Sequence, residues 1–193
     1  MRILVLGAGG TGGYFGGRLA EIGADVSFLV RPARAAELAA RGLVIRSPLG
    51  DAALQVRTVS AGSPGGPYDA VLLACKAYDL DTAMDAIVGA VGATTTIVPL
   101  LNGLRHLDTL DARFGRERVA GGLCLIGATL GPQNEVMHLD IAQNLVFGER
   151  DGGPSARLAA FADAFKGAKA DASQSEALMA EMREKFGLFS TLA

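Results

Sequence analysis

The chain has 193 residues, of which 50% are hydrophobic, and its 18 Lys and Arg against 20 Asp and Glu give a net charge of −2. This length can hold one full domain and the start of another, and the near-neutral charge gives no electrostatic footprint for nucleic acid or an anionic membrane. The N-terminal apolar run is too short and too rich in glycine for a signal peptide or a membrane span.

The first predicted unit is a strand, a glycine-rich turn and a helix. Arg2–Leu6 is a short apolar run that suits a strand buried on both faces, and a helix can continue over 14–22. Between them, Gly7, Gly9 and Gly12 follow the G-x-G-x-x-G spacing. In this pattern the first glycine allows a tight turn, the second lets a pyrophosphate approach the backbone, and the third lets the helix pack on the strand. The strand-to-helix context favours a dinucleotide site over an accidental glycine-rich turn.

The residues after the second strand, Asp25–Val30, indicate which dinucleotide. About 20 residues beyond the glycines, an acidic residue would bind the adenine ribose and select NAD. This chain has Arg31 there, and a planar guanidinium suits a 2′-phosphate because it can make two charge-assisted bonds. Arg34, one helical turn later, is placed to supply a second guanidinium. The alternative is that Arg31 only caps an exposed strand end. The pattern predicts NADP(H) over NAD(H).

The next segment is predicted as a helix and a hairpin. Ala33–Arg41 has a helical pattern, and Gly42 ends it. The alternating or β-branched runs Leu43–Arg46 and Leu54–Val59 flank the turn Pro48-Leu-Gly-Asp51, which predicts a hairpin at the edge of the sheet.

The middle of the chain alternates strands and helices. Asp69–Cys75 and Thr95–Leu101 are predicted as buried strands, and Leu80–Val91 and Leu104–Phe114 as helices. Strands that alternate with helices imply right-handed crossovers and a parallel sheet.

Two polar residues directly follow these buried strands. The carboxyl ends of the strands are where an open α/β sheet binds its ligand. Lys76 is predicted to contact a ribose or a phosphate there, unless it is a solvated lysine that opens a loop. Asn102 precedes Gly103, so it either forms a tight turn or bonds the nicotinamide ribose or a substrate oxygen. The local pattern leaves both readings of Asn102 open.

The pattern then changes to runs separated by short turns. Val119–Thr129, Glu135–Leu139 and Asn144–Phe147 predict strands of an antiparallel extension, and helices follow over Pro154–Lys166 and from Glu176 onward. The last helix has apolar side chains at helical spacing: Leu178, Met182, Phe186 and Phe189. This apolar face predicts association, either with a further domain or with a second copy in a homodimer.

The remaining candidates for chemistry give no site by themselves. His106 is predicted on a helix surface and His138 as a hydrogen-bonded structural group, and neither has metal-ligand or catalytic-triad spacing. Cys75 and Cys124 lie far apart in apolar stretches, which predicts buried free thiols in a reducing compartment and hence a cytoplasmic protein.

Six short motifs occur in one order along essentially the whole chain: Gly7-x-Gly9-x-x-Gly12, Leu29-Val-Arg31, Cys75-Lys76, Leu101-Asn-Gly-Leu104, Gly127-Ala-Thr129 and Glu184-Lys-Phe186. This set resembles the ketopantoate reductase (2-dehydropantoate 2-reductase) family. The resemblance implies an NADPH-dependent oxidoreductase that reduces a 2-oxo acid to a 2-hydroxy acid, in pantothenate biosynthesis if the acid is ketopantoate. It also implies an α/β fold: a Rossmann-type doubly wound, mostly parallel sheet with an antiparallel extension over 1–170, then the first helix of a helical substrate domain over 171–193.

The resemblance also implies roles for individual residues. It assigns cofactor binding to Gly7, Ala8, Gly9, Gly10, Thr11, Gly12, Arg31, Lys76, Asn102 and Ala128. Asn102 would also bind the substrate, and Lys185 would be the general acid. Hydride arriving at a carbonyl carbon leaves an alkoxide, which a nearby ammonium stabilises and protonates.

Three departures from the family pattern affect the expected substrate and activity. Phe189 stands where the family has a substrate-binding asparagine, and Arg105-His106 replaces small residues. These changes favour a paralogue with a different oxo substrate. Most of the helical domain is missing, so we expect this chain to bind cofactor with little turnover of its own.

Two other functions fit the same motifs. One is a non-catalytic NADP(H)-binding module that senses redox state or binds a partner. The other is a different dehydrogenase with a Rossmann-plus-helical layout, of the sugar-acid or opine type.

Overall fold

The structure is a computed structural model that describes residues 1–191, without the side chains of residues 186 and 188–191. Its strands are β1 (Arg2–Leu6), β2 (Asp25–Leu29), β3 (Leu43–Arg46), β4 (Ala52–Leu54), β5 (Arg57–Val59), β6 (Tyr68–Leu73), β7 (Val91–Pro99), β8 (Gly121–Leu130), β9 (Val136–Gly148) and β10 (Asp171–Gln174). Its helices are α1 (Gly10–Glu21), α2 (Pro32–Arg41), α3 (Leu80–Ile87), α4 (Arg105–Phe114), α5 (Ala156–Asp163) and α6 (Leu178–Thr191). None of the helices in the described part is both long and apolar enough to cross a membrane.

The first sheet has five parallel strands in the order β5-β2-β1-β6-β7. Its central strand β1 is apolar on both faces, and its side chains alternate between two cores. Ile3 and Val5 pack in the core that contains α1, while Leu4 packs in the core that contains residues of α3 and α4. Helices on both faces of a parallel sheet confirm the predicted doubly wound architecture.

The second sheet is built around the long strand β9. β8 pairs with β9 in antiparallel register, whereas β3 and β10 pair with its start and its end in parallel register. Helix α1 lies between the two sheets, and glycine permits this close packing. A Cβ on Gly16 would lie 2.7 Å from the ring of Phe28 in the first sheet, and one on Gly17 would lie 2.6 Å from Ile45 Cδ1 in the second.

The prediction of a hairpin is wrong for the second half of its second strand. β3 does pair antiparallel with a following strand, but that strand is β4, with Leu43 opposite Leu54. The continuation of the run forms β5, which joins the first sheet in parallel next to β2. The run therefore changes sheets, and an exposed ion pair of 3.0 Å between Arg57 and Asp25 accompanies the pairing of β5 with β2.

The strands of the second sheet also differ from the prediction. The two runs predicted over 135–139 and 144–147 are parts of one strand of 13 residues, β9. β10 was not predicted, because Asp171-Ala-Ser-Gln174 has none of the β-branched or aromatic residues that are enriched in strands. β10 pairs with β9, so residues just after the expected boundary at residue 170 belong to this sheet. The division into two domains stays a prediction.

Part of the apolar face of the last helix is buried against the rest of the chain. Leu178 and Met182 are buried in the core that also contains Leu4, and α6 packs against β8 and β9. This part of the face therefore has its partner within the chain. The side chains of Phe186 and Phe189, which complete the predicted face, lie outside the described residues.

The two histidines are both buried, contrary to the prediction for His106. His106 is only 5% exposed on α4, and burial followed by the charge of Arg150 lowers its pKa to about 4. His138 is the expected structural group, because its ring bonds Ser47 Oγ at 2.8 Å and the carbonyl of Ala142 at 2.9 Å.

Candidate functional site

The carboxyl edge of the first sheet brings three predicted segments together. β1 pairs in parallel with β2 on one side and with β6 on the other. The loop over 7–12, Arg31 and Lys76 follow these three strands, so they lie side by side at one edge. The Gly7 N–H, in a turn with φ of +94°, donates to the Leu29 carbonyl at 3.0 Å. This edge is where an open parallel sheet binds ligands.

The glycine loop (residues 7–12) forms an open cradle. Gly9 is the N-cap of α1, and no side chain caps the helix and no acidic residue occupies its first turn. A Cβ built on Gly9 would have no protein atom within 4 Å, so the space next to it is open. The first N–H groups of a helix have no partners within it, and they lie at the positive end of its dipole. This geometry fits a pyrophosphate.

At two other positions of the loop, close packing leaves no room for a side chain larger than that of glycine. A Cβ on Gly12 would lie 2.9 Å from Ala74 Cβ, and one on Gly10 would lie 2.5 Å from the carbonyl oxygen of Ala128. Ala128 belongs to β8, so the second sheet forms a wall of the cradle. Thr11 lies half-buried between these contacts.

Arg31 lies exposed beside the cradle and faces an acidic partner. It is the N-cap of α2, and its guanidinium donates to Asp79 Oδ1 at 3.1 Å. The Arg31 side chain is 79% exposed and that of Asp79 is 35% exposed. Asp79 was not singled out from the sequence, where it looks like an ordinary helix cap three residues after Lys76.

The Arg34 guanidinium is engaged in hydrogen bonds and an ion pair with other residues of the protein. It donates to the carbonyls of Ala8 at 3.1 Å and Asn134 at 2.8 Å, and it pairs with Glu37 at 3.0 Å. Its side chain is only 17% exposed. Arg34 therefore ties the glycine loop to the turn between β8 and β9, and the geometry does not support a second phosphate-binding guanidinium at this position.

The structure brings Lys185 and Asn102 together. Lys185 Nζ on α6 donates to Asn102 Oδ1 at 3.3 Å and to the Cys124 carbonyl at 2.6 Å, although Asn102 is 83 residues away in the sequence. Asn102 follows β7, so this contact lies at the same carboxyl edge as the glycine loop. An ammonium and an amide that converge at a ligand-binding edge can polarise and protonate a carbonyl oxygen.

The thiols near this edge are poor candidates for nucleophilic chemistry. Burial raises the pKa of Cys75 to about 11, and burial also raises the pKa of Cys124, although Lys185 opposes that shift. Since the thiolate is the reactive form, both cysteines are protonated and unreactive near neutral pH. They are free and half-buried rather than fully buried.

Lys76 is exposed just after β6, which is compatible both with a ribose or phosphate contact and with a solvated lysine that opens a loop. Within the described part of the chain, no group of three or more His, Cys, Asp or Glu is placed to hold a metal ion.

A cavity of about 330 Å³ lies elsewhere, lined by Arg116, Glu117, Val119, Glu149, Arg150, Asp151 and Arg157. Its arginines are paired: Arg150 bonds Asp111 at 2.6 Å, and Arg157 bonds Glu149 at 2.7 Å. Arg157 lowers the pKa of the Glu149 carboxyl through this pairing. The arginines that line this cavity are therefore engaged in structural ion pairs, and the cavity is not a site for a free anion.

Comparisons with known proteins find relatives in sequence and in fold. Residues 3–152 match the family model described as "Ketopantoate reductase PanE/ApbA". The chain is 44% identical over 171 residues to the uncharacterized oxidoreductase YkpB of Bacillus subtilis, covering 89% of this chain and 56% of that protein. It is 33% identical over 131 residues to a 2-dehydropantoate 2-reductase of Pyrococcus horikoshii, covering 67% of this chain and 42% of that protein.

A solved structure shares the fold. The 2-dehydropantoate 2-reductase of Geobacter metallireducens superposes with a TM-score of 0.82 at 33% sequence identity, covering 91% of this chain and 58% of that one. The chain therefore spans about half the length of the relatives it matches.

Proposed function

Because the chain belongs to the ketopantoate reductase PanE/ApbA family, we propose that it is the nucleotide-binding part of an NADPH-dependent reductase that converts a 2-oxo acid to a 2-hydroxy acid. The observation that carries this proposal is the contact between Lys185 and Asn102 at the carboxyl edge of the sheet. The helical substrate domain begins in this proposal with α6, because β10 still pairs with the second sheet.

The residues at the edge fit a nicotinamide dinucleotide phosphate. The backbone of Gly7, Ala8, Gly9, Gly10, Thr11 and Gly12 would hold the pyrophosphate in the open space at Gly9. Arg31 would bind the 2′-phosphate, Lys76 a ribose or a phosphate, and Asn102 the nicotinamide ribose. Ala128, against the start of α1, would approach the nicotinamide. When bound, this cofactor supplies the hydride.

Residues of the chain itself would stabilise the developing charge and donate the proton. As the carbonyl carbon gains a hydride, its oxygen gains negative charge, and the Lys185 ammonium would stabilise that charge and then donate a proton. Solvent would reprotonate the amine. Such proton transfer contributes about 10²- to 10⁴-fold to the rate. Asn102, bonded to Lys185, would hold both the ammonium and the substrate in place.

The substrate is proposed as a class. Relatives carry the name 2-dehydropantoate 2-reductase. Ketopantoate is therefore the first candidate substrate, and the pantothenate pathway the first candidate pathway. Phe189 in place of the family's asparagine favours a less polar oxo acid. We expect a protein extended to the length of its relatives to oxidise NADPH with one or a few 2-oxo acids from a panel. Absence of turnover with every 2-oxo acid, despite NADPH binding, would instead support a non-catalytic module.

The cofactor assignment predicts a selective effect of Arg31→Ala. A hydrogen bond to a charged group is worth about 1.5–3 kcal/mol, so we expect NADPH affinity to fall about 10- to 100-fold. NADH lacks the 2′-phosphate, and its affinity should change less than about twofold by the same reasoning. Titration of both nucleotides checks this. Arg41→Ala, an exposed arginine in the last turn of the same helix, is the matched control. Equal losses for both nucleotides in R31A would contradict the assignment.

A further inference from the structure

The carboxylate that faces Arg31 occupies an unusual place in its own helix. Asp79 is the N-cap of α3, where an aspartate normally accepts a hydrogen bond from the first turn. Here its side chain makes no such bond. Instead its Oδ1 accepts from the Arg31 guanidinium at 3.1 Å, across 48 residues of sequence. The carboxylate is therefore directed to Arg31 and not to the helix that it begins.

This ion pair crosses the mouth of the nucleotide cradle. Arg31 follows β2 and Asp79 lies in the turn after β6, and β1 with its glycine loop lies between these two strands. Neighbouring strands are about 4.8 Å apart, so the strands that carry the pair are separated by about 10 Å. The two side chains meet over the end of β1. A nucleotide that lies along the glycine loop passes this pair.

The negative charge of Asp79 opposes a phosphate at Arg31. A guanidinium binds phosphate through a planar pair of N–H groups, and Asp79 already uses one of the terminal nitrogens, Nη2. An incoming 2′-phosphate must take this donor from the carboxylate or lie beside a like charge. A nucleotide without the 2′-phosphate meets neither obstacle.

We propose that Asp79 is a specificity-determining residue, which competes for the Arg31 guanidinium and so reduces the preference for NADPH over NADH. This inference rests on the proposed nucleotide site and adds to it. Arg31 sets the direction of the preference, and Asp79 limits its size. The same competition keeps Arg31 held near the cradle when no nucleotide is bound.

The test compares Asp79→Asn with Asp81→Asn by titration of NADPH and NADH. Asp81 is an exposed aspartate in the first turn of α3, and within the described residues it forms no ion pair with Arg31. D79N should tighten NADPH about three- to fivefold, the upper range for an ion pair this exposed to solvent, with NADH changed less than about twofold. D81N should change neither affinity by more than about twofold. The gain in D79N should shrink as ionic strength rises.

Competition through Arg31 is tested in the double variant. In the Arg31→Ala background, D79N should no longer tighten NADPH, because the guanidinium for which Asp79 competes is gone. If D79N leaves the ratio of the NADPH and NADH affinities unchanged, or weakens NADPH binding, Asp79 does not limit the preference. A selective loss of NADPH affinity in R31A would still uphold the cofactor assignment. If the wild-type chain binds neither nucleotide, the proposed function fails, and this inference fails with it.

Discussion

We expect substitution of Lys185 by alanine to lower the proposed 2-oxo acid reduction at least a hundredfold in a protein extended to the length of its relatives. Lys185 Nζ bonds Asn102 and the Cys124 carbonyl at the edge where the nucleotide is proposed to bind. Removal of a general acid typically lowers a rate by about 10²- to 10⁴-fold. Because the proton is needed only as the alkoxide forms, the loss should appear in kcat more than in KM.

Two further variants show whether Lys185 acts by its proton or only by its charge. Lys185→Arg keeps the positive charge, but a guanidinium does not release its proton, so we expect it to restore little activity. Arg183→Ala removes an exposed cation from the same helix and should leave kcat close to that of the wild type. A K185A protein that retains most of its rate would remove Lys185 from the mechanism. Full recovery in K185R would reduce its role to electrostatic stabilisation.

Substitution of Gly9 by alanine should strongly weaken nucleotide binding without destabilising the fold. The backbone at Gly9 has φ of −84° and ψ of −163°, which alanine can adopt, and its Cβ would touch no protein atom within 4 Å. That Cβ would occupy the space proposed for the pyrophosphate. Loss of hydrogen bonds to a charged group worth about 1.5–3 kcal/mol each should weaken NADPH and NADH alike by about 100-fold or more.

The unfolding temperature separates this effect from a folding defect. A glycine replaced by alanine in a compatible conformation stabilises a protein by about 0.4–1 kcal/mol, so G9A should melt no lower than the wild type. Gly62→Ala is the matched control, because a Cβ at this exposed glycine also meets nothing within 4 Å. Gly10→Ala does not serve, since its Cβ would collide with the Ala128 backbone. Normal nucleotide binding by G9A would place the pyrophosphate elsewhere.

The parts of the fold that could be predicted are those that the local sequence encodes. The apolar run of β1 and the spacing of the glycines specify a strand, a turn and a helix without reference to the rest of the chain. The strand β10 could not be predicted, because its small polar residues pair only where β9 provides an edge. The change of sheet between β4 and β5 likewise depends on the contact with β2.

The errors at individual residues have different causes. His106 could have been placed correctly, because it lies four residues before Leu110 and so shares the buried face of α4. Lys185 has no local signal, since Glu181, Arg183 and Glu184 surround it like any solvated helix face. Only the family motif marked it, and its contact with Asn102 depends on the tertiary fold. Asp79 was missed because its position predicts a helix cap, and its actual partner follows another strand.

The electrostatics of the cradle follow from the same arrangement. The open end of α1 offers a positive dipole and no acidic side chain, while Arg31 and Lys76 add two cations at the neighbouring strand ends. Asp79 offsets part of this charge. At the proposed nucleotide site this charge distribution would favour an anionic nucleotide, and the balance between Arg31 and Asp79 would set the preference for the extra phosphate.

Titration of the wild-type chain with NADPH and NADH tests the central claim most directly. The reduced nicotinamide ring is itself fluorescent, so its change in fluorescence on binding reports both nucleotides. The account predicts saturable binding of both nucleotides at one site per chain, with NADPH bound more tightly. Failure to bind either nucleotide, or tighter binding of NADH, would contradict it.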